Sequence, residues 1–75
     1  MTNHFGENLA YLRKINRLEQ KDIAKLVNKS VATVSFWEKG KRVPLVEDVY
    51  VLSVYFRIDM ETLYFGNISS VKPVR

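Results

Sequence analysis

The chain has 75 residues, which is the size of one small domain, and a net charge of +4. Hydrophobic residues make up 47% of it, which argues against disorder. It contains no cysteine, so disulfides and cysteine-ligated metal sites are excluded. No apolar run approaches the roughly 18 residues of a membrane span, and the first residues lack the continuous apolar core of a signal peptide. We therefore expect a cytoplasmic protein with no membrane association.

The positive charge is concentrated in one part of the chain. Residues 13–42 contain nine basic and three acidic residues, a net charge of +6, whereas the rest of the chain carries a net charge of −2. Such a segment favours a polyanionic partner, and the alternative is an ordinary solvated surface with scattered lysines.

The first predicted helix covers residues 4–16, with Asn3 as its cap. Phe5, Leu9, Leu12 and Ile15 recur at four- and three-residue steps. This spacing predicts an amphipathic helix whose apolar stripe faces the core.

The second predicted helix covers residues 20–27. Ile23, Ala24 and Val27 fall on one apolar stripe. Asn28 then interrupts the pattern, and asparagine readily adopts the left-handed conformation that ends many helices. A tight turn is therefore predicted after residue 27.

The third predicted helix covers residues 31–39 and completes a helix-turn-helix. Ser30 is suited to cap it, because its hydroxyl can accept hydrogen bonds from the free amides of the first turn. Val34 and Trp37, three residues apart, are expected to face inward, and Gly40 ends the helix. The second helix of such a pair suits the DNA major groove.

Two further helices are expected, from Pro44 to Phe56 and from Met60 to Tyr64. Proline at a helix start loses no hydrogen bond, Asp59 can cap the last helix, and Gly66 ends it. The residues expected to face inward are Val49, Leu52, Phe56 and Leu63. Six further apolar residues are expected to divide between the core and a dimer face: Tyr50, Tyr55, Ile58, Tyr64, Phe65 and Ile68.

From about residue 5 to residue 63 the sequence resembles the Cro/CI-type, or Xre-type, phage-repressor domains. The matching pattern is Gln20, Ala24, Ser30, Thr33-Val34-Ser35, Trp37-Glu38, Gly40 and Pro44. The resemblance implies an all-α, five-helix, lambda-repressor-like DNA-binding domain over residues 1–67, with residues 68–75 as a tail or linker. Two positions depart from the family pattern. Asn28 replaces the usual glycine, and Lys29 replaces an apolar residue, which suggests a looser turn or a lysine whose stem lies along the surface.

The resemblance also implies roles for individual residues. Val31, Ala32 and Phe36 would face bases, while Thr33 and Ser35 would reach phosphates or a nearby base. Gln20 would donate to a phosphate, with local capping as its alternative role. Arg13 would pair with Glu38 and touch a phosphate, its alternative being an ordinary exposed arginine. Independently of the resemblance, the basic residues around Gly40 (Lys39, Lys41 and Arg42) predict a phosphate clamp, and the alternative is ordinary solvated loop charges. The complete set of predicted DNA-binding residues is Arg13, Gln20, Ser30, Val31, Ala32, Thr33, Ser35, Phe36, Lys39, Lys41 and Arg42.

The predicted reading helix is unusually apolar. It has no arginine for guanine and no asparagine or glutamine for adenine. Three explanations are open. Val31, Ala32 and Phe36 could pack on thymine methyl groups, specificity could come from DNA shape, or the face could bind protein.

The sequence therefore predicts a transcriptional regulator, specifically a repressor that binds a palindromic double-stranded DNA operator as a homodimer. No cofactor, metal or enzymatic activity is expected, because His4 is the only histidine and the chain shows no glycine-rich phosphate loop or carboxylate cluster. Two alternatives remain. One is a protein-interaction module of the same fold, antitoxin-like or antirepressor, and the other is the DNA-binding fragment of a longer repressor.

Overall fold

A computed structural model describes residues 3–68. In this range the chain forms five α-helices and no strand: α1 (Phe5–Ile15), α2 (Gln20–Val27), α3 (Val31–Glu38), α4 (Val46–Phe56) and α5 (Met60–Phe65). The predicted all-α, five-helix architecture is confirmed. Apart from Ile68, the predicted tail lies outside the described residues. None of the helices in residues 3–68 is long and apolar enough to cross a membrane.

The helices surround one core. α1 packs on α3 and α5, α2 packs on α3 and α4, and α4 packs on α5. Every helix contributes side chains to this core, so the apolar face of each helix is buried only when the helices pack together. The core residues are Phe5, Leu9, Leu12, Ile23, Ala24, Val27, Val34, Trp37, Val49, Leu52 and Leu63.

The prediction that Ile15 faces the core is wrong. Its side chain is 57% exposed, and the buried residues of α1 end at Leu12. The four- and three-residue spacing continues to Ile15, but packing against the partner helices stops one turn earlier. Periodicity alone does not show where a neighbouring helix ends.

The predicted start of α4 at Pro44 is also wrong. The helix begins at Val46, and Leu45 has the extended backbone of a cap residue (φ −74°, ψ 160°). The carboxylate of Asp48 accepts a hydrogen bond from the Leu45 N–H at 3.1 Å, which fixes the helix start two residues later.

A buried polar residue, Asn8, ties α1 to the end of α5. Its Nδ2 donates to the carbonyl oxygens of Leu63 and Gly66, both at 2.8 Å, and its Oδ1 accepts from the Ile68 N–H at 3.0 Å. All its polar atoms are paired, so its complete burial carries little penalty. The sequence interpretation missed this role.

Candidate nucleic-acid interface

Local hydrogen bonds set both ends of α3. At the start, Ser30 has extended backbone and its Oγ accepts from the Thr33 N–H at 3.1 Å, as predicted. At the end, Gly40 takes a left-handed conformation (φ 74°), and the Lys41 N–H donates to the Phe36 carbonyl at 2.9 Å. This pattern is a glycine-terminated helix end, which confirms the predicted stop.

The inner face of α3 is fixed by tight packing. Val34 is fully buried and Trp37 is 2% exposed, and the Trp37 ring meets the Phe5 ring edge-on with centroids 5.7 Å apart. A Cβ atom placed on Gly6 would lie 2.2 Å from the Trp37 carbonyl oxygen, so α1 crosses the end of α3 without space for a side chain. Ala24 of α2 is buried as well, as expected for a close approach of helices. These contacts set the rotation of α3 about its axis.

The remaining side chains of α3 stay outside the core. Val31 is 45% exposed and Ala32 is also exposed, while Thr33, Ser35 and Phe36 are half-buried. We call these five residues the outward surface of α3. They are the positions predicted to contact bases and phosphates.

Arg13 and Glu38 form the predicted ion pair between α1 and α3. The Nε atom of Arg13 donates to Oε2 of Glu38 at 2.7 Å, and Nη2 donates to Oε1 at 3.1 Å. The two side chains are only 15% and 9% exposed, so Arg13 is not an ordinary surface arginine. Hydrogen bonding to Glu38 raises the pKa of the Arg13 guanidinium, while burial acts in the opposite direction. Its remaining Nη1 donates to the Leu18 carbonyl at 3.0 Å.

Gln20 joins the same network. Its Nε2 donates to Oε1 of Glu38 at 3.0 Å, so α2 is linked to the pair between α1 and α3. Local capping at the start of α2 comes instead from Asp22, whose carboxylate accepts from the Glu19 N–H at 2.8 Å. A phosphate contact by Gln20 stays a prediction.

Lys29, the residue that departs from the family pattern, anchors the turn of the helix-turn-helix to α4. Its Nζ lies 3.4 Å from Oδ1 of Asp48, whose side chain is 5% exposed. Asn28 has the left-handed conformation expected of it (φ 57°, ψ 47°), and the Lys29 N–H donates to the Ala24 carbonyl at 3.0 Å. The long lysine stem thus reaches a buried carboxylate, a long-range contact that the sequence interpretation missed.

The loop between α3 and α4 presents exposed basic side chains. Lys39, Lys41 and Arg42 are all exposed, and none makes an ion pair with an acidic residue in the described range. The guanidinium carbon of Arg42 lies 5.0 Å from the centroid of the Phe36 ring, a cation–π contact that connects the loop to the outward surface of α3.

The helices α4 and α5 leave apolar side chains uncovered. Val46, Tyr50 and Val54 follow one another at four-residue steps along α4 and are 75%, 58% and 58% exposed. Of the six apolar residues considered for the core or a dimer face, Ile58, Tyr64 and Ile68 pack against the core, and Tyr50, Tyr55 and Phe65 are exposed. A dimer through this side stays a prediction.

Within residues 3–68, no group of three or more histidine, cysteine, aspartate or glutamate side chains is arranged to hold a metal ion.

Comparisons with known proteins give two findings. The family model described as Helix-turn-helix matches residues 9–63. A transcriptional regulator from Listeria innocua has a similar crystal structure, with a TM-score of 0.83 and 31% sequence identity. The similarity covers 100% of this chain and 66% of that chain, so this chain spans slightly less than two thirds of that regulator. Among curated proteins, none matches the sequence significantly.

Proposed function

Since this chain belongs to the helix-turn-helix family of the Xre, or Cro/CI, type, we propose that it is a sequence-specific DNA-binding transcription regulator that places α3 in the major groove. The observation that carries the proposal is the position of the outward surface of α3 beside an exposed basic loop. Ser30, Gly40 and the inner contacts of α3 hold this surface in one orientation. A rigid reading helix needs such support.

Phosphate binding would come mainly from the loop. Lys39, Lys41 and Arg42 have no acidic partner in the described range and are free to neutralise phosphates. Each neutralised phosphate releases counterions, which makes affinity fall with salt by about 0.9 logarithmic units per tenfold rise in concentration. Arg13 and Gln20 are committed in part to Glu38, so any phosphate contact from them would be secondary.

Sequence reading would rest on apolar contacts. Val31, Ala32 and Phe36 offer methyl, methylene and aromatic groups, and the C5-methyl of thymine is the apolar group that the major groove presents. DNA shape would add discrimination through the loop contacts to the backbone. We therefore propose an operator in which thymine methyls are read directly.

A second copy of the chain would complete the regulator. The exposed stripe of Val46, Tyr50 and Val54, with Phe65 beside it on α5, supplies an apolar surface for a twofold dimer. Two copies would place their α3 helices in successive major grooves, about 34 Å apart, on a palindromic operator. Binding of that kind over a promoter would repress transcription in the cytoplasm.

One observation favours a second candidate function. Because the outward surface of α3 lacks side chains for bidentate base recognition, it also suits an apolar protein partner, as in an antitoxin-like or antirepressor module. The size of the Listeria regulator supports a related possibility, namely that this domain works as the DNA-binding part of a longer repressor.

The test is selection of bound duplexes from a randomised DNA library, followed by footprinting and titration at several salt concentrations. The proposal predicts two symmetric half-sites, affinity that falls steeply with salt, and a two-to-one protein-to-duplex ratio. Replacing thymine by uracil in the selected site should weaken binding, because it removes only the methyl group. Failure to enrich any sequence, together with salt-independent binding, would contradict the DNA-binding function and favour the protein-interaction module.

A further inference from the structure

An arginine lies against the outward surface of α3, although α3 itself contains none. The guanidinium carbon of Arg42 is 5.0 Å from the ring centroid of Phe36, which is half-buried on that surface. Arg42 is exposed, and its guanidinium makes no hydrogen bond or ion pair with the described part of the chain. The guanidinium therefore lies over the ring at cation–π distance, while its N–H donors remain available.

The backbone holds these two side chains together. The left-handed conformation of Gly40 reverses the chain at the end of α3, and the Lys41 N–H donates to the carbonyl of Phe36 itself at 2.9 Å. Arg42 is the next residue, so the hydrogen-bonded turn holds its backbone close to Phe36 and within reach of the ring. A guanidinium held in this way loses less conformational freedom on binding than a mobile one.

The other described arginines are placed for different tasks. Arg13 is engaged by the Glu38 carboxylate and the Leu18 carbonyl. Arg17 and Arg57 lie just beyond the C-terminal ends of α1 and α4. Among the arginines of residues 3–68, Arg42 is the one whose guanidinium makes a cation–π contact with the outward surface of α3.

We propose that Arg42 and Phe36 form one recognition unit, in which Arg42 donates to O6 and N7 of a guanine while the Phe36 ring contacts the methyl group of a neighbouring thymine. The inference rests on the proposed function and assigns Arg42 a reading role in place of phosphate clamping. A planar fork of N–H donors matches the two guanine acceptors in the major groove, which an ammonium group cannot do in the same way. Phe36 is the positioning residue for this fork, and Lys39 and Lys41 remain available for phosphates.

The discriminating variant is Arg42→Lys, which keeps the positive charge but removes the fork. Loss of a bidentate guanine contact should lower the preference for guanine at one position of each half-site by roughly 5- to 150-fold. The salt dependence should stay near that of the wild type, because the net charge is unchanged. Arg57→Lys is the matched control, since it makes the same substitution away from α3, and it should leave the preference intact.

Two variants of the ring test the positioning role. Phe36→Leu removes the aromatic surface beneath the guanidinium and should lower the same guanine preference, even though Arg42 is present. Phe36→Tyr keeps the ring and should retain the preference. Thermal unfolding followed by circular dichroism identifies any variant that is unfolded. If Phe36→Leu does not fold, Arg42→Lys and Phe36→Tyr still test the recognition unit.

The binding experiment uses duplexes selected by the wild-type protein from a randomised library, with each guanine replaced in turn by 7-deazaguanine. This analogue lacks only the N7 acceptor. The wild type should lose affinity at one guanine of each half-site, and Arg42→Lys should show no further loss at that guanine. A selected site without guanine, or an Arg42→Lys protein with an undiminished guanine preference, would overturn the recognition unit while leaving DNA binding in place. Absence of any sequence-selective duplex binding would overturn the proposed function as well.

Discussion

Replacing Arg13 by methionine would leave the Glu38 carboxylate in a nearly closed environment without its cation. In the native protein this carboxylate accepts two hydrogen bonds from Arg13, at 2.7 and 3.1 Å, and one from Gln20 at 3.0 Å. The Glu38 side chain is only 9% exposed, so water cannot fully replace the lost partners. Breaking a buried pair from one side costs about 3–5 kcal/mol, and the residual exposure and the Gln20 bond reduce this to about 2–4 kcal/mol.

That loss is a large fraction of the stability of a domain of this size. A chain of 75 residues is expected to have a free energy of unfolding of about 4–11 kcal/mol. Each kcal/mol shifts the melting temperature of such a domain by about 4–8 °C, so Arg13→Met should melt roughly 8–30 °C lower than the wild type. Urea unfolding followed by circular dichroism gives the free energy directly.

The double variant Arg13→Met/Glu38→Leu decides whether the reasoning is correct. Because it removes both charges, it should be more stable than Arg13→Met, with a coupling energy of about 2 kcal/mol. Lys21→Met is the matched control, because Lys21 pairs with Glu19 at 3.5 Å but both side chains are more than 60% exposed, and it should change stability by less than about 0.5 kcal/mol. If the double variant loses as much stability as the two single variants added together, the pair is not behaving as a buried ion pair.

Three further predictions follow from single positions. Gly6→Ala places a Cβ atom 2.2 Å from the Trp37 carbonyl oxygen at the end of α3, so it should lower the free energy of unfolding by more than about 2 kcal/mol. Urea unfolding measures this, and an unchanged urea midpoint would refute the close packing. Lys29→Met leaves the buried Asp48 carboxylate without its ion-pair partner and should lower the free energy of unfolding by about 1 kcal/mol. An unchanged melting temperature would show that the 3.4 Å contact does not stabilise the fold. Hydrogen bonds from the Thr62 hydroxyl and N–H lower the pKa of Asp59 below its ordinary value of 3.8, so the unfolded chain binds the proton more readily and the carboxylate stabilises the fold above that value. The stability difference between wild type and Asp59→Ala should therefore shrink as the pH falls from about 5 to about 2, and a difference that stays constant would be the contrary result.

Local chemistry made much of the fold predictable. Asn28, Ser30 and Gly40 mark helix ends through the conformations and hydrogen bonds available to each residue and its immediate neighbours, and the structure has all three as expected. The start of α4 was placed wrongly because two local signals compete there. Pro44 suits a first helical position, but the Asp48 carboxylate binds the Leu45 N–H and starts α4 later.

Contacts between helices were predictable only in part. The pair of Arg13 and Glu38 was anticipated only from the family resemblance. Spacing along the chain does not indicate that residues 25 apart will meet. The ion pair of Lys29 with Asp48 and the cation–π contact of Arg42 with Phe36 were not anticipated. Both contacts involve long flexible side chains whose partners depend on how the helices pack. The sequence pattern around a lysine or an arginine does not show which partner its side chain will reach.

The central claim is that the basic loop beside α3 binds DNA phosphates, and the salt dependence of duplex binding tests it most directly. The wild type should be compared with Lys39→Gln/Lys41→Gln/Arg42→Gln, and with Arg57→Gln as a variant that removes charge outside the proposed interface. Each lost phosphate contact should reduce the slope of log affinity against log salt by about one, so at least two units should disappear in the triple variant and almost none in the control. Equal affinities of the triple variant and the wild type for the selected duplex at low salt would contradict the claim.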